Sequence, residues 1–205
     1  NATWAKVKAV AAGANILLYY GHGNGWPSPY TYDPLYTTKD GFGLNKTAGA
    51  GDSNLQYYGE PYIDGTKDGI GLRTMAPNAI VLLGNLCYAS GNSEPNDAEP
   101  TQTVAKQRAD NFASAFLRAG ASAVIADGHH GLGWYLDSLF TTQQTVEQMW
   151  RANPYFHNHV VSYASGRTAG ANARLDPDWV SAAYYRSIVG DLAATTTSVV
   201  TGAAA

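Results

Sequence analysis

Apolar and polar positions in this chain fall into blocks: short apolar runs, each closed by a polar turn. Residues 15–20 run into Gly21-His22-Gly23-Asn24-Gly25, and residues 79–83 into Gly84-Asn85-Leu86-Cys87-Tyr88-Ala89-Ser90-Gly91. Residues 122–126 end in Asp127-Gly128-His129-His130-Gly131. Apolar runs of that length predict strands buried on both faces, as in a parallel sheet. Between them the spacing turns helical. Trp4, Val7, Val10 and Ala11 predict a helix over 4–12 that Gly13 stops. Val104, Ala105, Phe112, Ala115, Phe116 and Ala119 predict one over 104–119, closed by Gly120. Val146, Met149 and Trp150 predict a short helix over 145–152, ended by Asn153-Pro154. Residues 160–163 predict a fourth strand. Asp176-Pro177-Asp178, an acidic cap with proline in the first turn, predicts a helix running to about 192. Strands alternating with helices give the expected fold class: α/β, a three-layer sandwich with a mostly parallel central sheet.

One segment breaks the pattern. From 21 to about 73 no amphipathic period survives, and Gly, Asp, Asn, Pro and Tyr dominate. So long an irregular stretch is functional or hides short hairpins. It contains an echo, Thr38-Lys39-Asp40-Gly41-Phe42-Gly43-Leu44 against Thr66-Lys67-Asp68-Gly69-Ile70-Gly71-Leu72, which reads as two Asp-Gly turns before short strands. The expected organisation is a single domain over 1–192 with an insert at about 24–73, then a Thr/Ala-rich tail or linker over 193–205. The helix that precedes the first strand implies a sheet wanting one more strand, and both ends read as cuts from a longer chain.

Composition narrows the function classes. The 205 residues are 45% hydrophobic and only 14% charged, with formal net charge −3. That balance gives no electrostatic reason to expect nucleic acid or an anionic membrane as partner. No apolar run approaches the roughly 20 residues that span a bilayer. A single cysteine excludes an intrachain disulfide framework. Few lysines, 22 glycines and 14 tyrosines fit an exported bacterial surface protein, secreted or held at the cell surface.

His22 and Cys87 each sit just past the carboxyl end of an expected strand, where open α/β sheets place their working residues. A thiol and an imidazole there are the minimum for a thiol nucleophile. The order of these pieces resembles the caspase–gingipain–legumain clan of cysteine peptidases, with the gingipain and CHAT-type branches nearest in look. The resemblance is carried by Tyr19-Tyr20-Gly21-His22-Gly23, by residues 82–91, and by residues 112–125 with their Ala-Gly-Ala-Ser-Ala-Val-Ile ending. Together these cover roughly a third of the chain. It implies a caspase-like fold, with His22 as general acid/base, Cys87 as nucleophile, and the amides of Gly23 and Cys87 as the oxyanion hole. The chemistry agrees: thioester formation puts negative charge on a carbonyl oxygen that two fixed N–H donors stabilise, and the leaving amine needs a proton.

This chain departs from the clan in several ways. Several relatives carry aspartate two residues before the cysteine, where it holds a basic P1 side chain. Here that residue is Asn85, and Asp127 at the end of the third strand is the alternative source of charge, with His129 nearby. The pair is 65 residues apart in sequence because of the insert, and the clan's opening strand is missing.

Other chemistry reads more plainly as structure. His129-His130, and His157 with His159 two residues on, have the residue types of a zinc or copper site but lack a fuller motif, so a polar loop explains them and no metal or cofactor is expected. Asp40, Asp52, Asp64 and Asp68 lack the spacing of a calcium loop and read as turn residues. Trp26, Tyr30, Tyr32, Tyr57, Tyr58 and Tyr62 fit either a binding surface for sugars or partners or a loop packed by its own rings. The expected function is a cysteine endopeptidase-like domain of an exported multidomain protein, acting on a peptide or protein. The alternative is a catalytically silent caspase-like domain serving as a structural or adhesive module of a surface assembly.

Overall fold

A computed structural model describes residues 2–29, 40–51 and 54–202. Tyr30, Tyr32, Thr38, Lys39 and Asp52 of the sequence reading, and residues 203–205, lie outside the described residues. The chain opens with α1 (Trp4–Ala11), capped by the Thr3 hydroxyl and stopped at Gly13, and continues into β1 (Ile16–Tyr20). The insert then supplies β2 (Gly23–Asn24), β3 (Gly41–Asn45), β4 (Leu55–Tyr58) and α2 (Glu60–Ile63). There follow β5 (Ile80–Gly84), α3 (Gln102–Arg118), β6 (Ala123–Asp127), α4 (Gly133–Thr141) and α5 (Val146–Ala152). The last elements are β7 (Val161–Ala164), β8 (Asn172–Leu175), β9 (Arg186–Gly190) and α6 (Thr196–Thr201).

Six strands form one mixed sheet in the order β1-β5-β6-β9-β8-β7. The run β1-β5-β6 is parallel and in register, pairing Tyr20 with Gly84 and Gly84 with Asp127. From β6 to β7 every pairing is antiparallel. The expectation of a mostly parallel sheet therefore holds for strand direction, since β1, β5, β6 and β8 run one way, whereas the pairings divide between the two kinds. The expected fourth strand is present as β7, but it is an antiparallel edge. The other edge is β1.

Alternation along the central strands feeds two cores. Val81, Leu83, Val124, Ala126 and Val189 face α1 and α3, meeting Trp4, Val7, Phe112 and Phe116. Ile80, Leu82, Ala123, Ile125 and Ile188 face the opposite way, onto Tyr135 of α4, Met149 and Trp150 of α5 and Val199 of α6. Helices thus cover both faces, an arrangement compatible with a three-layer sandwich. A fully buried Phe or Leu of this kind contributes about 1.5–3 kcal/mol through the apolar surface it removes from water.

Three expectations are corrected. The helix over 176–192 does not form. Asp176 takes the backbone amides of His157 and His159 and pairs with the buried Arg186, and the chain returns as β9. A buried guanidinium outcompetes a helix cap for that carboxylate. The Thr/Ala-rich stretch expected as a tail or linker contains α6, which closes a capping box at Thr195 and buries Val199 in the second core. The echo also splits. Asp40-Gly41 leads into β3, while Asp68 accepts from the amides of Ile70 and Gly71 in a turn that no strand follows.

The insert is held by its own rings and by ion pairs. Tyr58 stacks on Trp4 and Tyr62 meets both edge-on, which supports the self-packed reading for these aromatics. Glu60 pairs with Arg118 and Arg167, and Asp64 with Arg118, tying α2 to α3. Burial works against the charge of Asp68. Lys8, the Trp4 indole and two backbone amides outweigh it and hold the carboxyl well below its usual range.

Candidate active site

The tips of four strands meet at one end of the sheet. Gly21 N–H donates to the Gly84 carbonyl, Asn85 N–H to Asp127, and Gly128 N–H to Tyr185, lacing the exits of β1, β5 and β6 to the entry of β9. Because β1 and β5 are in register, His22 and Cys87 follow adjacent paired residues by two and three positions. The two segments also touch. A Cβ added at Gly23 would lie 3.0 Å from the Leu86 side chain, and one at Gly25 only 2.5 Å from Cβ of Tyr88. The glycines on either side of Asn24 let this stretch lie directly along Leu86-Cys87-Tyr88.

The cysteine turn is strained. Asn85 (φ 56°) and Tyr88 (φ 72°) both occupy the left-handed region, one on each side of Leu86-Cys87. Asn tolerates that conformation; a bulky aromatic does so only under constraint. The constraint is visible. Tyr88 is fully buried, with the Arg108 guanidinium 4.8 Å over its ring. Arg108 donates to the carbonyls of Pro27 (2.6 Å) and Asn92 (2.8 Å), bracing the exits of β1 and β5 against α3. Backbone strain so over-determined concentrates at functional sites.

Cys87 is half-buried and lines a cavity of about 200 Å³ with Asn85, Asn92, Ser93, His129 and Tyr185. Burial pushes its thiol pKa up, and Glu94 and Asp97 push it further, against the thiolate's bond to its own amide. The resting cysteine is a protonated thiol in an acidic field.

His22 is exposed and faces a separate hollow, with Tyr19, Tyr20, Asn45 and Leu55. Its carbonyl accepts from the Gly43 amide (2.7 Å) and the Tyr19 hydroxyl (3.0 Å). This makes His22–Gly43 a hydrogen-bonded pair, and alternation along the ladder turns the Gly23 amide away from β3. Tyr57 follows on β4, paired with Gly43. Its ring lies against Gly43 beside His22, and its phenol, raised chiefly by burial, also feels Glu94 and the Cys87 sulfur. The segment that carries His22 and Gly23 thus touches the one that carries Asn85 and Cys87 through Gly23 and Leu86, while the imidazole and the thiol line separate hollows.

The remaining sequence candidates divide. His129 lines the cysteine's cavity. Asp127 does not: its side chain is fully buried, accepts from the His130 amide (2.8 Å), and lies 3.1 Å from His130 Nδ1 and 3.7 Å from Arg186 Nε. It is therefore committed to the protein and cannot receive a substrate's charge. Burial pushes the His130 pKa down against the pull of Asp127. Sequence reasoning did not assign Tyr57, Asn92, Ser93, Glu94, Asp178, Tyr185 or Arg108 to the site. Of these only the acidic run 94–99 left a local signal, a charged loop directly after the cysteine turn. Among the described residues no group of three or more His, Cys, Asp or Glu is placed to hold a metal ion. No helix among them is long and apolar enough to cross a membrane. Compared with known proteins, the chain matches no family model, no curated protein and no solved structure.

Proposed function

We propose that this chain is a cysteine endopeptidase-like domain of caspase-like fold, belonging to an exported multidomain protein. Cys87 attacks the scissile carbonyl, His22 protonates the leaving amine, and the amides of Gly23 and Cys87 hold the oxyanion. The observation that carries this is the contact of two neighbouring strand exits, with Gly23 seated on Leu86 next to a cysteine set in a strained turn. An oxyanion hole needs two donors converging on one point. The Gly23 amide, turned from β3, and the Cys87 amide, one residue past the Leu86 that Gly23 packs on, suit that need.

The acidic field bears on specificity. Glu94 and Asp97 act on Cys87, and Glu99 and Asp178 act on Tyr185, which lines the cavity with Cys87. A lysine or arginine side chain at P1 would be favoured there, with the charge coming from these loops rather than from Asp127 or Asn85. The test is cleavage of peptides that present each residue type at P1. Cleavage after Lys or Arg is expected, absent in Cys87→Ala and at least about 100-fold slower in His22→Ala. Cleavage that survives in Cys87→Ala would overturn the reading.

One observation favours the catalytically silent module instead: the thiol is pushed toward its protonated form and its hollow is not the one His22 lines. That reading predicts a folded protein that hydrolyses none of the peptides.

A further inference from the structure

We infer that His129, oriented by Asp178, is the base that activates water to release an acyl group from Cys87. This rests on the reading of Cys87 as a nucleophile, and it gives the site a second imidazole with a separate task. His129 lines the same cavity as Cys87, whereas His22 lines a separate one. Its Nε2 lies 3.3 Å from Asp178 Oδ2, and its ring packs on Tyr185 (centroids 4.0 Å) and against the edge of His130 (4.2 Å). His130 is itself fixed, with Nδ1 3.1 Å from the buried Asp127 and its ring stacked on Tyr155 at 3.9 Å. The groups around His129 are therefore Asp178, His130, Asp127 behind it, Tyr185, and His157, which reaches the other oxygen of Asp178 at 3.5 Å.

A carboxylate against Nε2 keeps the proton on that nitrogen and leaves Nδ1 as the lone-pair acceptor. The chemistry then divides between the two imidazoles. With the acyl group on Cys87, a water oxygen bonds to the thioester carbonyl carbon while His129 Nδ1 takes the water's proton. The carbon–sulfur bond breaks, the thiolate recovers that proton from His129, and a carboxylic acid leaves. No redox partner is needed, and imidazole and thiol return to their starting forms.

p-Nitrophenyl acetate tests this without knowledge of the natural substrate. Its nitrophenolate burst reports acylation, and intact-mass measurement reports acetyl-Cys87 and its decay. His129→Gln is expected to slow the hydrolysis of acetyl-Cys87 about 100-fold or more, far more than it slows the burst, so that acetyl-Cys87 accumulates. Asp178→Asn should slow the same step about 10-fold, as loss of an orienting carboxylate does. Loss of the second step with the first largely kept is an effect that packing damage alone would not produce. Equal iodoacetamide reactivity of Cys87 in wild type and variants checks that the cavity is intact. Acetyl-Cys87 that hydrolyses at the wild-type rate in His129→Gln would overturn this inference alone, as would burst and hydrolysis falling together. A wild-type protein whose Cys87 is never acylated would overturn the peptidase reading and this inference with it.

Discussion

Cys87 is the residue whose environment makes the sharpest single-group prediction. Burial and the nearby Glu94 both oppose ionisation of its thiol. Alkylation by iodoacetamide should therefore keep accelerating above the ordinary thiol range near 8.5, and Glu94→Gln should speed it a few-fold at pH 8. A plateau at the ordinary thiol pH, unchanged in Glu94→Gln, would contradict this. The sign carries over to stability. The folded state holds the proton more tightly than the unfolded chain, so this contribution is complete below the ordinary thiol pKa. It is lost as pH rises through the raised value, and Cys87→Ser should flatten that alkaline limb of urea-unfolding stability. His22, Asn85 and Cys87 were legible in sequence because each follows an apolar run broken by polar turn residues. Arg108 and Tyr185 were not, because each acts across the fold, from a helix face and from a strand entry that carry no local mark.

At the scale of elements, the working geometry depends on how closely the exit of β1 can lie against the exit of β5. Gly25 is the tightest point, since a methyl there would sit 2.5 Å from Cβ of Tyr88. Gly25→Ala should cost roughly 1–3 kcal/mol in urea unfolding and lower Cys87 reactivity toward peptidyl probes. A fully stable, fully reactive Gly25→Ala would mean that the two exits are not pressed together. The same contact explains a failure of sequence reading. Period and punctuation located β1, β5, β6, α1, α3 and α5, all set by local burial. The stretch 176–192 was misread because its capping signal, Asp176, is claimed by Arg186, ten residues later in the chain. Likewise β8 and β9 are short strands whose partners, and not their own patterns, define them.

Over the whole molecule, strand direction gathers chemistry at one end. The exits of β1, β5, β6 and β8 and the entries of β7 and β9 lie together there, carrying all five histidines and the one cysteine. Arg186 is the fastening of the far half. It is fully buried against Asp127 and Asp176, and it donates to the Tyr135 hydroxyl and the carbonyls of Trp150 and Tyr155. Arg186→Met leaves two buried carboxylates without their cation, so a loss of about 3–5 kcal/mol is expected in urea denaturation. A loss below 1 kcal/mol would mean that the carboxylates find water or protons at little cost. None of this gathering is written in any one segment; it follows from strand order, which local sequence does not encode.

The central claim, that Cys87 is a nucleophile positioned for a peptide carbonyl, is tested most directly by mass spectrometry of the native protein with a lysyl or arginyl acyloxymethyl ketone. The account predicts one adduct, on Cys87, formed faster in the folded protein than in urea, slowed in His22→Ala and absent in Cys87→Ala. A folded protein whose Cys87 reacts with iodoacetamide but never with the peptidyl ketone would contradict it.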